Sequence, residues 1–194
     1  MRKIKPYQKI ILPFFVLLFI SAASTQAQEG YQKPPEVIAK LIEAPSTPGV
    51  SIDSKGEWML LMERPGYPSI EEVSSPELRI GGTRINPRTN GRSRSSHMTG
   101  LEMQHVKTGE KFRFKNMPNN PKIGNVSWSN DEQTIAFTNT VTNGIELWVA
   151  NVQSRNAKKL TSAIINNAYV KAFDWLPDNQ TLLVSTVVRN RGAA

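Results

Sequence analysis

Five arginines fall in a short stretch, Arg79, Arg84, Arg88, Arg92 and Arg94, with no Asp or Glu between the first and the last, among Gly, Asn, Pro and Ser. A guanidinium is a planar fork of donors that grips a carboxylate at two points, so the chemistry on offer is recognition of acidic groups. The competing use is structural: pairing with Glu71, Glu72 and Glu77 just upstream, or plain solvation, the usual fate of a charge run. Nucleic acid fits less well, because no aromatic residues interleave to stack on bases.

Catalytic groups are scarcer. A serine nucleophile of the hydrolase kind sits in a G-x-S-x-G turn that exposes its hydroxyl beside oxyanion donors. The nearest approaches, "GVSID" at 49 and "GRSRS" at 91, lack the second glycine. The two histidines, His97 in a polar loop and His105 in an alternating strand, are expected to be structural. With no cysteine and no H-E-x-x-H spacing, neither has metal-ligand company. No catalytic, metal or cofactor residue is therefore assigned.

The elements that must position these residues begin after a leader. Arg2, Lys3, Lys5 and Lys9 precede the apolar "IILPFFVLLFISAA", and small residues approach Ala27. This is the layout of a secretory signal, residues 1–27, cleaved after Ala27. The apolar run is short of the roughly 20 residues of a membrane span, so no stable anchor is expected after cleavage. Taking those four cations from the 24 basic residues leaves 20 against 16 acidic ones, so the formal +8 falls to +4. Export, to the periplasm or beyond, would permit disulfides, but without cysteine the fold must rest on packing alone.

Residues 28–48 form an arm. Pro34 and Pro35 open a helix, Val37, Ile38, Leu41 and Ile42 share one face, and Pro45 ends it. From Val50 the texture becomes short β-type runs between turns. "IDSKGEWMLL" (52–61), "WSNDEQTIAF" (128–137) and "WLPDNQTLLV" (175–184) repeat one hairpin, the last two 47 positions apart. "LEMQHVKTGEKF" and "LWVANVQSRNAK" repeat a second, 46 positions apart. Two hairpins per period make four strands in about 45 residues, the size of one β-propeller blade. Such a blade is apolar on both faces, so it needs a neighbour on each side. Trp128, Phe137, Trp148 and Trp175 are then inter-blade packing rather than an aromatic binding platform.

The predicted fold is all-β, an incomplete β-propeller over residues 49–194 with about two and a half four-stranded blades. Blade one covers 50–114 with an insertion at 63–98, blade two 123–160, and blade three, truncated, 170–194. Propellers use about four to eight blades, so the chain reads as part of a longer protein.

"YQKPPEVIAKLIEAP", "RPGYPSIEEVSSPELRIGGTRINPRTNGRSR", "VSWSNDEQTIAF", "LWVANV" and "LLVSTVVRNRG", in that order, resemble the N-terminal part of the prolyl oligopeptidase family of serine peptidases, in the branch called glutamyl endopeptidases. The likeness runs from Tyr31 to the last residue. It implies an exported or organellar peptidase whose propeller gates peptide access to a separate α/β-hydrolase domain carrying a Ser, Asp and His triad. It implies peptide substrates, no cofactor, and no activity from this stretch alone. If acidic side chains are preferred, as the branch name suggests, Arg84, Arg88, Arg92 and Arg94 would supply the counter-charge. The alternative is a non-enzymatic ring similar to the periplasmic TolB proteins, serving as a platform for docking proteins.

Overall fold

A computed structural model describes residues 33–188 and Asn190. The expected leader, residues 1–27, lies outside them. Among the described residues no helix is long and apolar enough to cross a membrane. The chain divides into two compact units, Met1–Leu41 and Ile42–Ala194. Helix α1 (Glu36–Glu43), which runs across that boundary, starts directly after Pro35, whose carbonyl accepts from Ile38 and Ala39 N–H. Glu36 and Lys40 pair across one turn at 2.7 Å, and none of the helix residues is buried.

The second unit is almost wholly antiparallel β. The first sheet comprises β1 (Gly49–Ile52), β2 (Trp58–Glu63), β6 (Gly100–His105) and β7 (Lys111–Arg113), in that spatial order. The second sheet repeats the order with β8 (Ile123–Trp128), β9 (Thr134–Val141), β10 (Gly144–Asn151) and β11 (Asn156–Lys159). A third is the hairpin of β12 (Phe173–Trp175) and β13 (Leu182–Val184).

The repetition extends to single backbone angles. In the first kind of hairpin the fifth position of the quoted motif is left-handed all three times: Gly56 at φ 67°, Glu132 at 58° and Asn179 at 59°. In the second kind, Gly109 at 73° and Arg155 at 54° occupy the same place. A left-handed residue is what a tight hairpin needs to match the strand twist. Glu and Arg bear that strain here because their side chains gain partners. The Glu132 carboxylate accepts from both the N–H and the hydroxyl of Ser54, each at 2.8 Å, and Arg155 lies 4.3 Å over the Phe112 ring while pairing with Glu110 at 3.0 Å.

Alternation along the central strands gives the second sheet two apolar faces. Ile135, Phe137 and Ala150 join Leu60, Leu101 and Met103 of the first sheet in one core. Ala136, Leu147 and Val149 join Ala172 and Phe173 at the third in another. The repeated tryptophans tie neighbours together at equivalent points. Trp128 Nε1 donates to Ser51 Oγ of the first sheet at 3.0 Å, and Trp175 Nε1 donates to the carbonyl of Ser127 in the second at 3.3 Å. No sheet closes into a barrel among the described residues.

The insertion between β2 and β6 is a folded piece: helix α2 (Ile70–Ser74), then a three-stranded sheet of β3 (Leu78–Ile80), β4 (Thr83–Asn86) and β5 (Gly91–Arg92). The helix starts with a capping box in which Ser69 and Glu72 satisfy each other's backbone N–H. The turn from β3 to β4 is Gly81-Gly82, both at positive φ, as a two-residue hairpin requires.

Candidate functional site

β4 and β5 run antiparallel, with Ile85 opposite Arg92 and Asn86 opposite Gly91, and their turn carries Arg88. The hairpin pairs with the segment between β11 and β12: Gly91 bridges in parallel to Asn167, and the Asn90 carbonyl accepts from Asn167 N–H at 3.0 Å. Beneath it opens a cleft of about 860 Å³, within the range of pockets that take small ligands or side chains. Its walls are the insertion, the Arg64–Pro68 segment, the approach to β8 and the β9–β10 turn with Thr140 and Thr142.

The arginine cluster divides. Glu77, with only 12% of its side chain exposed, is a hub: Oε1 takes Arg84 at 2.8 Å and Arg79 at 3.2 Å, and Oε2 takes Arg94 at 3.2 Å. Burial alone would raise the pKa of Glu77. The hydrogen bond from Arg79 and the charges of Arg84, Arg94 and Arg79 outweigh it and hold the carboxyl below its ordinary 4.5. Arg84 is thus engaged and absent from the cleft wall, whereas Arg88, Arg92 and Arg94 line it.

Two further cations line the cleft without belonging to the sequence cluster: Arg64, just past β2, and Lys122, just before β8. No spacing relates them to the arginine run, and only folding brings them to it. Lys122 pairs with Glu72 at 3.3 Å. Arg64, Arg88 and Arg92 have no carboxylate partner among the described residues. With Lys122 paired to Glu72 and Arg94 to Glu77, the wall keeps three further cations, Arg64, Arg88 and Arg92, against one further carboxylate, Glu71, a balance that suits an acidic guest.

Of the two histidines, His97 lines the cleft and His105 does not. His97 Nδ1 lies 3.3 Å from the same Glu72 oxygen that meets Lys122. Burial pulls the Glu72 pKa up, but the Ser69 N–H, His97 and Lys122 together leave it lowered. Glu72 therefore fastens α2 to the root of β8. His105, at the far end of β6, stands edge-on to Trp58 at 5.0 Å, and its Nδ1 accepts from Thr108 N–H.

A carboxylate whose pKa is depressed by folding adds stability above its unfolded pKa, and that share is lost as pH falls through the folded value. Glu72 and Glu77 are both depressed, so the fastening of the insertion is complete above about pH 4.5 and weakens below it. The urea midpoint should fall on acidification through this window, and Glu77→Gln should flatten part of the fall. An unchanged slope in that variant would remove Glu77 from the account.

The chain matches no protein-family model. It is 34% identical over 191 residues to a protein of Arabidopsis thaliana named probable glutamyl endopeptidase, chloroplastic, covering 90% of this chain. It is 32% identical over 181 residues to the protein of the same name in Oryza sativa subsp. japonica, covering 87%. The chain spans about one-fifth of the length of these curated relatives, 20% and 19%. Among solved structures, Pyrococcus horikoshii acylaminoacyl peptidase aligns over 79% of this chain and 19% of its own, at 16% identity and a TM-score of 0.43. A putative dipeptidyl aminopeptidase IV from Bacteroides ovatus aligns over 57% and 16%, at 16% identity and a TM-score of 0.35.

Proposed function

The chain belongs to the glutamyl endopeptidase branch of the prolyl oligopeptidase family, and we propose that it is the substrate-admitting β-propeller portion of an exported or organellar peptidase. In this reading the two four-stranded sheets are blades, the β12–β13 hairpin begins the next, and the residues that cut the peptide belong to a hydrolase domain elsewhere in the full-length protein. The insertion's share is recognition. Arg88 and Arg92 meet acidic side chains of the peptide, with Arg64 lining the same cleft.

The observation that carries this assignment is the division of the arginines. Arg79, Arg84 and Arg94 are held by Glu77, while Arg88 and Arg92 border an 860 Å³ cleft without a carboxylate of their own. A charge-assisted bond to a bound carboxylate contributes about 1.5–3 kcal/mol. Arg88→Ala and Arg92→Ala in the full-length peptidase should each lower kcat/KM for a Glu-containing peptide by about tenfold, leaving a Leu-containing peptide of the same length nearly unaffected. Equal losses on both peptides would end the recognition assignment.

A further inference from the structure

The arginines face the cleft only if the β4–β5 hairpin stays down on the second sheet, and one residue governs how closely it can lie. Gly91 is buried, and a Cβ built on it would stand 2.7 Å from Ile145 Cδ1, closer than carbon atoms approach. Ile145 is 2% exposed and packs in the second core with Leu147 and Ile165. Cδ1 could swing aside only by turning about χ2 into the closely packed core around it, so a side chain at position 91 is met by the core and pushes on the hairpin. The same lift breaks the bond from Asn167 N–H to the Asn90 carbonyl and the bridge at Gly91 itself. Arg92 is the next residue, and Arg88 leads into the turn closed by Thr89 and Asn90 N–H on the Asn86 carbonyl. Both therefore ride on this seat.

We propose that Gly91 is a positioning residue for substrate selection: its missing side chain lets the hairpin sit on Ile145 and thereby fixes Arg88 and Arg92 in the wall of the cleft. This rests on the reading of the cleft as the place where acidic side chains are met. A misplacement of about an ångström is enough to cost one to two orders of magnitude. In the full-length peptidase, Gly91→Ala should raise KM for a Glu-containing peptide about tenfold, with kcat and the Leu-containing peptide changed far less.

The partner substitution Ile145→Val removes Cδ1, the atom in the way, so the double variant should recover most of the lost selectivity. That recovery would not follow from general destabilisation, because Ile145→Val by itself weakens the core. Non-recovery in the double variant, or equal losses on both peptides, overturns the proposal. Should Gly91→Ala fail to yield soluble protein, the double variant decides: soluble and selective supports the seat, insoluble or unselective sinks it. If Arg88→Ala and Arg92→Ala lose selectivity and Gly91→Ala does not, the seat is wrong and the recognition reading stands. If the arginine variants keep selectivity, both fall together.

Discussion

Phe137→Ala should destabilise the protein by about 3–5 kcal/mol, the range for removing a fully buried aromatic ring. Phe137 has no exposed surface and occupies the core shared by the first and second sheets with Leu60, Met103 and Ile135. The upper part of the range is expected because the site cannot easily collapse. Its cross-strand partner is Trp148, stacked at 6.3 Å and 17°. The indole N–H of Trp148 is held by Glu146 at 2.8 Å, and Glu146 is held by Asn139 and Lys159. A pinned wall leaves the cavity open, and an open cavity forfeits contacts on every side. The measurement is urea unfolding followed by tryptophan fluorescence, with Val188→Ala, at a 71% exposed residue, as a control expected within about 0.5 kcal/mol. A loss under about 1 kcal/mol would mean that the two sheets do not share this core.

Sheets that lean on one another at repeated faces are coupled through nearest neighbours, and this is the part of the fold most legible in the sequence. The hairpin repeat could be read because its turns recur with the same polarity and length, and the left-handed angles at Gly56, Glu132 and Asn179 show the recurrence to be conformational. Glutamate at the middle of these positions hides the conformation from anyone looking for Gly or Asn. Its cause lies 78 positions away in Ser54, where no local pattern points.

The insertion was harder to read for a different reason. Five arginines among Gly, Asn, Pro and Ser suggest a solvated loop, yet "RIGGTRI" holds a two-glycine turn between alternating flanks, a hairpin signal in its own right. Composition argued for one state and local pattern for the other, and the pattern prevailed. The division of the arginines was not legible at all. Arg79 and Arg84 are opposite one another across β3 and β4, so both reach Glu77, while Arg88 falls beyond the end of β4 in the turn. A one-residue slip in the β3–β4 ladder would part Arg79 from Arg84 and turn one of them away from Glu77.

Gly144→Ala is the second large effect expected, a loss of about 3 kcal/mol, and it tests whether the segment before β12 is seated as firmly as the sheets. A Cβ on Gly144 would lie 2.4 Å from the Ala163 carbonyl oxygen and 2.8 Å from Ala163 Cβ. Neither can rotate aside, since one is backbone and the other is attached to it directly. The segment as a whole cannot retreat freely either. Ile165 N–H donates to the Ile145 carbonyl at 3.0 Å, and the Thr161 hydroxyl accepts from Leu147 N–H at 3.0 Å. Retreat would break one of these bonds or draw the fully buried Ile165 out of the second core. Gly66→Ala is the matched control, with open space around its Cβ and an expected effect within about 0.5 kcal/mol. Thr142 and Ile145, which flank this contact, also line the cleft. A displaced segment should therefore weaken selection of acidic peptides along with stability, whereas Phe137→Ala, in the other core, should lower stability and leave the selectivity of the surviving folded protein intact.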